Sequence, residues 1–405
     1  MITAASFVDG MEAQGFDLYA SVPCSFFKPV VNYLIDNRPD SYVPLNNEGE
    51  AVAYACGAQL AGMQPVVMFQ NSGLGNAVNP LTSLAQPFRI PLLVVVTWRG
   101  QPGIGDEPQH EIMGKATQSM LAAMELETEV LCQDADELSA QMARARRHLA
   151  ETQRCFALLM PKGSIEPYDL QSPNRAAPLP QQDADVEPEP GEPTLKRHDC
   201  IARIAEVVGQ AHPILATTGK AGRELYTLRD SSNQLYMVGS MGCASSLGLG
   251  LARHRSANHR AADDSGVDNS AADHRAADHR TVVIDGDGAA LMRLEAMASV
   301  GHYRPEGLVH VLLDNNAHES TGGQQTLSDT VDFTGVARSV GYRYARSLVT
   351  EEALEAELRD ALRRQGPSLL HMRIIEGSVD PLGRPAMHPS EVAERLRRYL
   401  AGNGA

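Results

Sequence analysis

The sequence predicts an α/β protein with two doubly wound, mostly parallel-sheet domains that are joined by a linker. Two observations support this fold class. Short apolar runs alternate with helical patterns in both halves of the chain, and continuous apolar strands separated by helices are typical of parallel sheets that helices cover on both faces. A stretch rich in Pro, Asp and Glu, which shows no periodicity, separates the two halves.

The first half, residues 1–166, is predicted to form an N-terminal α/β domain. Its strand patterns are "FDLYASV", "PVVMF", "PLLVVVTW" and "CFALLM", and helical patterns such as "GEAVAYACGAQLA" and "DELSAQMARARRHLAE" lie between them. Residues 167–195 follow as an extended linker, because a segment rich in proline and charge does not form a regular helix or a central strand.

The second half, residues 196–405, repeats the alternation. The patterns predict, in order, a helix near 198–209, the strand "HPILA", a helix near "CASSLGLGLA", the strand "TVVID", the helix "ALMRLEAMASVG", the strand "GLVHVLLD", two more helices and the strand "SLLHMRII". Residues 253–280 repeat an H-R-A-A-D unit. We interpret them as a low-complexity surface insertion, although a His-rich tract can also bind metal.

Composition excludes several classes of function. The net charge of −15 disfavours nucleic acid as a partner, because phosphate binding needs concentrated Lys and Arg. No apolar run is long enough to span a membrane, and the N-terminus lacks the pattern of a signal peptide. The six cysteines are scattered without a C-x-x-C pair, which predicts a reduced, cytoplasmic protein. A small anionic substrate remains compatible with a basic pocket.

Acidic and amide side chains follow two predicted neighbouring strands. Asp287 lies in "GDG" after the strand "TVVID", and Asn315 lies 28 residues later in "LDNNAHESTGG". Carboxyl ends of parallel strands meet at one sheet edge, and hard oxygen ligands of this kind suit Mg²⁺. Gly286 and Gly288 allow the backbone to approach a diphosphate, and a helix that begins near Ala290 would direct its N-terminus at the anion.

Other interpretations of "GDG" are weaker. Leu291 stands where a dinucleotide-binding fingerprint has its third glycine, so a nucleotide-binding oxidoreductase is disfavoured. The phosphate-binding pattern G-x-x-x-x-G-K-[ST] is absent from the sequence. A "GDG" on its own is often only a tight turn, but its pairing with "NN" after the next strand is more specific.

The paired motifs resemble the signature of thiamine diphosphate enzymes. This resemblance implies thiamine diphosphate and Mg²⁺ as cofactors, with Asp287 and Asn315 as metal ligands through their side chains and Ala317 through its carbonyl. The residues that would bind the cofactor in this part of the chain are Gly286, Asp287, Gly288, Ala289 and Asn315.

Two further stretches are similar to the same family. Glu48 precedes a helix and Gly57 follows nine residues later, which implies that Glu48 is the catalytic glutamate; an acid favoured by the helix dipole is the alternative. In "GSMG", Gly239 would offer its carbonyl to the aminopyrimidine and Met241 would support the bent cofactor. An ordinary core role is the alternative for Met241.

Several stretches are similar to the phosphonopyruvate and sulfopyruvate decarboxylase group of that family: "SVPCSFFKPVVNYL", "FQNSGLGNAVNPLTSLA", "TWRGQPGIGDEPQHEIMGKAT", "TTGKAGREL", "LDNNAHESTGGQQT" and "LGRP". Like that group, the chain has a linker where many related decarboxylases have a third domain. The domains would be of the pyrimidine-binding and diphosphate-binding types. The unsplit chain most resembles the phosphonopyruvate decarboxylases, which implies cytoplasmic decarboxylation of a small anionic 2-oxo acid in phosphonate or antibiotic biosynthesis.

Sulfopyruvate decarboxylation is the nearest alternative, since a sulfonate and a phosphonate differ mainly in charge and one proton. A related 2-oxo acid decarboxylase and a non-catalytic cofactor-binding protein are more distant ones. The resemblance also implies a homo-oligomer, a dimer or larger, with active sites between subunits.

A substrate with two anionic groups needs cations and hydroxyl or amide donors. The candidates are Ser25, Lys28, Asn71, Arg99, Lys115, Lys220 and Arg223. A solvated surface charge is the alternative for each single Lys or Arg. His110 and His318 are candidates for proton transfer, because an imidazole titrates near neutral pH. A pairing with Asp106 or Glu107 is the alternative for His110.

Overall fold

The computed structural model describes residues 1–172, 183, 188–263 and 280–402, with the side chains of 135, 136 and 256–263 left aside. The chain forms two compact units, Met1–Ala177 and Pro178–Ala405. Each unit contains a six-stranded parallel sheet with flanking helices, so the predicted fold class is confirmed. Within the described ranges, no helix has both the length and the apolar character that a membrane span requires.

The first unit alternates strands and helices from its start. Its strands are β1 (Leu18–Ser21), β2 (Tyr42–Pro44), β3 (Pro65–Gln70), β4 (Leu93–Thr97), β5 (Glu127–Val130) and β6 (Phe156–Met160). Its helices are α1 (Ala4–Glu12), α2 (Lys28–Asn37), α3 (Glu48–Leu60), α4 (Leu74–Pro80), α5 (Glu111–Ala123) and α6 (Ala135–Thr152).

The strand order of this sheet is β2-β1-β3-β4-β6-β5, and every pairing is parallel. Strand β4 is buried along its whole length, as its run of apolar residues predicts. The chain leaves β1 toward one side of the sheet and β3 toward the other. Because ligands in such sheets bind beside the strands where the order reverses, the loops after β1 and β3 are the expected binding loops.

The second unit follows the same plan. Its strands are β7 (Ile214–Ala216), β8 (Gln234–Tyr236), β9 (Thr281–Gly286), β10 (Leu308–Asp314), β11 (Ala317–His318), β12 (Gln324–Gln325), β13 (Tyr344–Leu348) and β14 (Ser368–Arg373). Its helices are α7 (Arg197–Val208), α8 (Lys220–Leu228), α9 (Ala244–Asp263), α10 (Asp287–Met292), α11 (Glu295–Tyr303), α12 (Phe333–Val340), α13 (Glu351–Ala361) and α14 (Pro389–Leu400).

The main sheet of this unit has the order β13-β14-β10-β9-β7-β8, and β11 pairs with β12 in a separate antiparallel ribbon. The order reverses between β7 and β9. Thr217 follows β7 and Asp287 follows β9, so both flank the crevice in which a parallel sheet of this kind binds its ligand.

The structure corrects several local predictions in the second unit. The helix expected near Ala290 begins at Asp287, and the single helix "ALMRLEAMASVG" is two helices, α10 and α11, with a break at Arg293 and Leu294. The supposed insertion does not begin at residue 253, because α9 continues to Asp263. Its residue His254 is buried rather than on the surface. Residues 264–279 lie outside the described part of the chain.

The predicted linker is attached at both ends. Near its start, the backbone NH groups of Gln171 and Ser172 donate hydrogen bonds to the carboxylate of Asp36 on α2. Near its end, Glu189 runs beside β13, where its NH donates to the carbonyl of Ser347. Of the predicted linker, the structure describes residues 167–172, 183 and 188–195. The rest of the linker lies outside the described residues.

Candidate functional site

The predicted metal ligands lie at the ends of adjacent strands. Strands β9 and β10 pair in parallel, with Gly286 opposite Leu313. Asp287 is therefore the first residue after β9, and Asn315 is the first after β10. Both side chains are buried, as is Ala317. The structure thus brings the three predicted ligands to the same edge of the sheet.

The Asp287 carboxylate lies in a polar but desolvated place. Its Oδ2 atom accepts hydrogen bonds from the hydroxyls of Thr326 and Ser328, the second at 3.0 Å. Burial raises the pKa of Asp287 and the nearby charge of Asp314 adds to the rise, against the lowering effect of those hydrogen bonds. A carboxylate in this position is costly without a cation, which is the situation that a metal ligand requires.

Ser328 connects the loops that follow the two strands. Its Oγ lies 3.0 Å from Asp287 Oδ2, 2.9 Å from Asp314 Oδ1, 2.5 Å from Asn316 Oδ1 and 2.9 Å from Thr326 Oγ1. A hydroxyl has one hydrogen, so it cannot donate to all the acceptors around it. This cluster of oxygens therefore has more acceptors than protons, and a cation would satisfy the surplus.

A second interaction holds the loop after β10. Nε2 of His371 on β14 lies 2.9 Å from Asp314 Oδ2. Burial acts to raise the pKa of Asp314, but the hydrogen bond and charge of His371 lower it below its usual value. Asp314 Oδ1 also accepts from the NH of Asn316 at 3.1 Å. His371 therefore fixes the turn that carries Asn315.

Asn315 itself has unused hydrogen-bonding capacity. Its Oδ1 accepts from the NH of Ala317 at 3.1 Å. Its Nδ2 is buried and has no hydrogen-bond partner within the described part of the protein. An orphaned buried amide is rare and costs free energy, so it indicates that a ligand completes the site.

The glycines beside Asp287 also fit a bound group. A Cβ atom at position 288 would lie 2.5 Å from Cε1 of His318, so the imidazole packs directly on the Gly288 backbone. A Cβ atom at Gly242, which has φ +87°, would lie 3.1 Å from the carbonyl oxygen of Ala289. The "GSMG" loop after β8 thus approaches the start of α10, and Gly239 and Met241, both half-buried, lie in this loop.

These observations fit a site for Mg²⁺ and a diphosphate. Among the described residues, no group of three or more His, Cys, Asp and Glu side chains could hold a metal. The predicted site does not need such a group, because its donors are a carboxylate, an amide and a carbonyl, and Mg²⁺ takes further oxygens from phosphate and water.

Ser328 gives a prediction that separates this site from ordinary packing. Ser328→Ala should weaken Mg²⁺ or Mn²⁺ binding, in the presence of thiamine diphosphate, by about 10- to 100-fold, because the alanine no longer orients Asp287. Titration calorimetry or Mn²⁺ electron paramagnetic resonance measures the affinity. Ser328→Thr keeps the hydroxyl and should retain much of the wild-type metal affinity. Ser339→Ala on α12 serves as a control that should not change this affinity. Equal affinities for all these variants would contradict the role given to Ser328.

The predicted catalytic glutamate begins α3 in the first unit. Asn47 caps this helix by accepting from the NH of Gly49 at 2.8 Å, and Glu48 is the next residue. Oε2 of Glu48 accepts from Asn76 Nδ2 at 2.9 Å. A Cβ atom at position 73 would lie 1.9 Å from Oε1 of Glu48, so only glycine fits there without moving the carboxylate. The carboxylate is therefore held in one place by its surroundings.

The neighbouring acid Glu50 is different. It is fully buried, and its Oε2 accepts from the NH of Asn46 at 2.9 Å. This hydrogen bond stabilises the entry of the chain into α3. Glu50 therefore stabilises the first turn of α3, as its position in that turn predicts.

Three of the predicted substrate residues lie together after β1, β3 and β4. Arg99 Nη1 donates to Ser25 Oγ at 3.1 Å, and Asn71 Nδ2 donates to the carbonyl of Arg99 at 2.8 Å. Ser25 and Asn71 follow the strands between which the sheet order reverses. Arg99 is also paired with Asp106, at 2.6 Å between Nη2 and Oδ1. This ion pair, led by its hydrogen bonds, lowers the pKa of Asp106 far below its usual value.

The other candidate cations have different surroundings. Lys28 and Lys115 are exposed and pair with Asp169 at 3.3 Å and with Glu111 at 2.6 Å. Lys220 and Arg223 lie on α8 in the second unit. Lys220 Nζ donates to Ser378 Oγ at 3.0 Å. The contacts of Lys28 and Lys115 are those of surface charges.

His110 is buried at the end of a short turn before α5. Its Nδ1 has no hydrogen-bond partner in the described residues, so the structure does not show the alternative pairing of this nitrogen with Asp106 or Glu107. Gly100, at φ +67°, lets the chain pass close to the carbonyl of His110: a Cβ atom there would lie 2.1 Å from that oxygen. A buried imidazole nitrogen without a partner is suited to proton transfer.

Several residues at these sites were not among those predicted from the sequence. They are Asn76, Thr217, Asp314, Thr326, Ser328 and His371. Thr217 is buried at the end of β7, and its hydroxyl has no hydrogen-bond partner in the described part of the protein. The position of Thr217 directly after the strand "HPILA" is the one feature of the sequence that could have indicated a binding residue, since ligands bind at strand ends in such sheets.

Comparison with protein families places both units. The thiamine pyrophosphate enzyme N-terminal TPP binding domain matches residues 1–125, and the thiamine pyrophosphate enzyme C-terminal TPP binding domain matches residues 217–372. The second match contains Asp287, Asn315 and Ser328, and the first contains Glu48.

Curated relatives extend the similarity over the whole chain. A phosphonopyruvate decarboxylase of Streptomyces viridochromogenes is 40% identical over 402 residues, which are 99% of this chain and 95% of the relative. One of Streptomyces hygroscopicus is 40% identical over 98% of this chain and 94% of the relative. A sulfopyruvate decarboxylase of Methanosarcina acetivorans is 27% identical over 97% and 96%.

Solved structures share the fold. A thiamin diphosphate-dependent enzyme from Mycobacterium smegmatis aligns with a TM-score of 0.67 at 14% identity, over 93% of this chain and 100% of that one. A thiamine diphosphate-dependent 4-hydroxybenzoylformate decarboxylase of Rhodococcus jostii aligns with a TM-score of 0.66 at 13% identity, over 93% and 100%.

Proposed function

The chain belongs to the thiamine pyrophosphate enzymes, and we propose that it decarboxylates 3-phosphonopyruvate to phosphonoacetaldehyde and CO₂. The observation that carries this proposal is the nearly full-length similarity to phosphonopyruvate decarboxylases. The sulfopyruvate decarboxylase of Methanosarcina acetivorans is less similar, at 27% identity. Sulfopyruvate decarboxylation is therefore the second candidate.

The residues at the edge of the second sheet would hold the cofactor. Asp287 and Asn315 would bind Mg²⁺ by side chain and Ala317 by its carbonyl, which would also relieve the surplus of acceptors around Ser328. The backbones of Gly286, Gly288 and Ala289 would face the diphosphate, with Gly239 and Met241 against the rings. When bound, thiamine diphosphate supplies the electron sink that decarboxylation of a 2-oxo acid needs.

Glu48 would hold a proton at a ring nitrogen of the aminopyrimidine. Oε2 of Glu48 accepts a hydrogen bond from Asn76, and the Gly73 backbone lies against Oε1. The carboxylate is therefore oriented before the cofactor binds. Preorganisation of this kind lowers the reorganisation needed during reaction. His110 or His318 would then donate the proton that the product carbon takes up after CO₂ leaves.

The remaining predicted residues would bind the two anionic groups of the substrate. Ser25, Asn71 and Arg99 already contact one another in the first unit. Lys220 and Arg223 lie beside the loop after β7 in the second. Lys28 and Lys115 are paired with the exposed carboxylates of Asp169 and Glu111, and each would have to leave its partner to bind the substrate.

We also propose a role for each domain and an assembly of several subunits. Residues 1–166 would bind the pyrimidine and 196–405 the diphosphate and Mg²⁺, with 167–195 as the linker between them. The protein would act as a cytoplasmic homo-oligomer, at least a dimer, with active sites between subunits. Phosphonoacetaldehyde would feed phosphonate biosynthesis, including that of phosphonate antibiotics.

A substrate comparison tests the proposed function. Purified protein with thiamine diphosphate and Mg²⁺ is offered phosphonopyruvate, sulfopyruvate and pyruvate separately, and kcat/KM is measured for each. We expect the largest kcat/KM for phosphonopyruvate. A larger value for sulfopyruvate would support the second candidate. Cofactor binding without turnover of any of the three would contradict both.

A further inference from the structure

A cavity of about 360 Å³ lies beside α8 in the second unit, and no residue of the oxygen cluster around Ser328 lines it. We name it the Arg384 cavity. Thr218, Gly219, Arg223, Val238, Arg384 and Met387 are among the residues that line it. A volume of this size is typical of small-molecule sites, which are mostly apolar and have a few polar groups.

The charge of the Arg384 cavity is opposite to that of the chain. Its lining includes two guanidinium groups, Arg223 and Arg384, and no carboxylate. The whole chain has 35 Lys and Arg residues against 50 Asp and Glu. Arg223 is half-buried and Arg384 is exposed. Two positive charges on one cavity wall attract an anion, and the attraction is stronger at the half-buried Arg223 than at a charge in open water.

The two arginines have different surroundings. Arg223 Nε donates to the carbonyl of Gly383 at 2.9 Å, and its Nη2 donates to that of Leu382 at 2.7 Å. Carbonyl oxygens carry no net charge, so these partners do not form an ion pair with Arg223. Arg384 makes no hydrogen bond or ion pair with any residue in the described part of the chain. Its five N–H donors are available to a ligand.

The backbone that carries Arg384 is fixed to α8. Besides the two bonds from Arg223, the NH of Gly383 donates to Thr227 Oγ1 at 2.9 Å. A Cβ atom at position 383 would lie 2.9 Å from the same hydroxyl oxygen, so the segment packs closely on the helix. The main chain next to Arg384 is thus already ordered, and binding an anion need not order it first.

The Arg384 cavity also lies at the carboxyl ends of two strands. Thr218 and Gly219 follow β7 and precede α8, and Val238 follows β8. Val238 is the residue before Gly239, which we propose to face the cofactor. An anion in the cavity would therefore lie beside the same loops that hold the reacting part of the site.

We propose that the Arg384 cavity binds the phosphonate group of the substrate, with Arg384 as a specificity-determining residue. The proposal rests on the proposed function, because it assigns a place to one end of that substrate. A guanidinium matches the oxygens of a phosphonate with paired N–H donors, which a single ammonium does not. Arg223 supplies the second positive charge and holds the segment that carries Arg384.

The first test compares Arg384→Gln with the wild-type protein. Loss of charge-assisted hydrogen bonds should lower the ratio of kcat/KM for phosphonopyruvate to that for pyruvate by about 10- to 100-fold, mainly through KM. Arg384→Lys should recover part of the ratio. Arg398→Gln on α14, an exposed arginine paired with Glu394 at 3.2 Å, is the matched control. An unchanged ratio in Arg384→Gln would overturn the proposal.

A binding experiment separates this proposal from the proposed function. Methylphosphonate and inorganic phosphate are titrated separately into the holoenzyme and followed by calorimetry. We expect methylphosphonate to bind, to compete with phosphonopyruvate, and to bind at least about 10-fold more weakly to Arg384→Gln. Absence of methylphosphonate binding to the wild type would overturn the Arg384 assignment even if phosphonopyruvate is decarboxylated. Phosphate binding that depends on Arg384 but does not compete with phosphonopyruvate would overturn it too. If phosphonopyruvate is not turned over at all, the proposed function fails.

Discussion

Glu48→Gln is expected to lower kcat for decarboxylation by about 10²- to 10⁴-fold, which is the usual range for removing a proton-transfer group. Glutamine keeps the size of the side chain and can still accept from Asn76, but it cannot hold the transferred proton. The fold should survive, since Glu48 is only half-buried and no described cation pairs with it. Steady-state kinetics gives kcat, and circular dichroism with titration of the cofactor gives folding and binding.

The control for this substitution is Glu351→Gln. Glu351 also begins a helix, α13, and contacts Arg203 at 2.6 Å on the surface. The same chemical change there should cost at most about 1 kcal/mol of stability and no activity. If Glu48→Gln retained more than half of the wild-type kcat, Glu48 would be only a helix-terminal acid, and the proposed mechanism would be wrong.

Asp287→Asn is expected to abolish Mg²⁺-dependent activity, with a loss of at least about 10³-fold, because a metal contact of this kind contributes several kcal/mol. Most substitutions of a buried residue lower the stability of the fold, but Asp287→Asn should not lower the stability of the metal-free protein. Burial and the nearby Asp314 make the Asp287 carboxylate costly in the folded state. Asparagine removes that cost, so Tm in the presence of a chelator should be equal to or higher than that of the wild type.

Thermal unfolding with chelator and with Mg²⁺ plus thiamine diphosphate checks both parts of this expectation. Wild-type protein should gain stability from the added cofactors, and Asp287→Asn should gain much less. Asp329→Asn is a suitable control, because Asp329 lies on the same turn as Ser328 but is exposed. A large fall of Tm in Asp287→Asn with chelator would show that Asp287 stabilises the fold and would contradict its assignment as a metal ligand.

Local patterns predicted the fold class because strands such as "LLVVV" and "TVVID" are short, apolar and bounded by helices. They did not predict β5 ("ETEV") or β13 ("YARSL"), because edge strands carry polar residues and lack a continuous apolar run. The break between α10 and α11 was also missed, since Arg293 and Leu294 are good helix formers by themselves. In that place the chain must leave the sheet edge, and tertiary structure overrides propensity.

Some residues of the candidate site could be proposed from the sequence, and others are seen only in the structure. Asp287, Asn315 and Glu48 could be proposed from the sequence because their neighbours, the glycines and the paired asparagine, resemble a family signature, and their roles stay predictions. The roles of Ser328 and His371 could not be predicted in this way. His371 reaches Asp314 because of the register of β10 with β14, and Ser328 reaches it because the chain returns to this place near residue 328. Their role is visible only once distant segments are placed side by side.

The close approach of Gly73 to Glu48 has a consequence for how this loop can evolve. A single added methyl group at position 73 would collide with the Glu48 carboxylate, whereas at Gly75, two residues later, the space beside the backbone is open. We therefore expect a substitution at Gly73 to displace the Glu48 carboxylate and a substitution at Gly75 to meet no neighbouring atom. Two identical residues in one short stretch would therefore tolerate substitution to very different degrees, because only Gly73 lies against the Glu48 carboxylate.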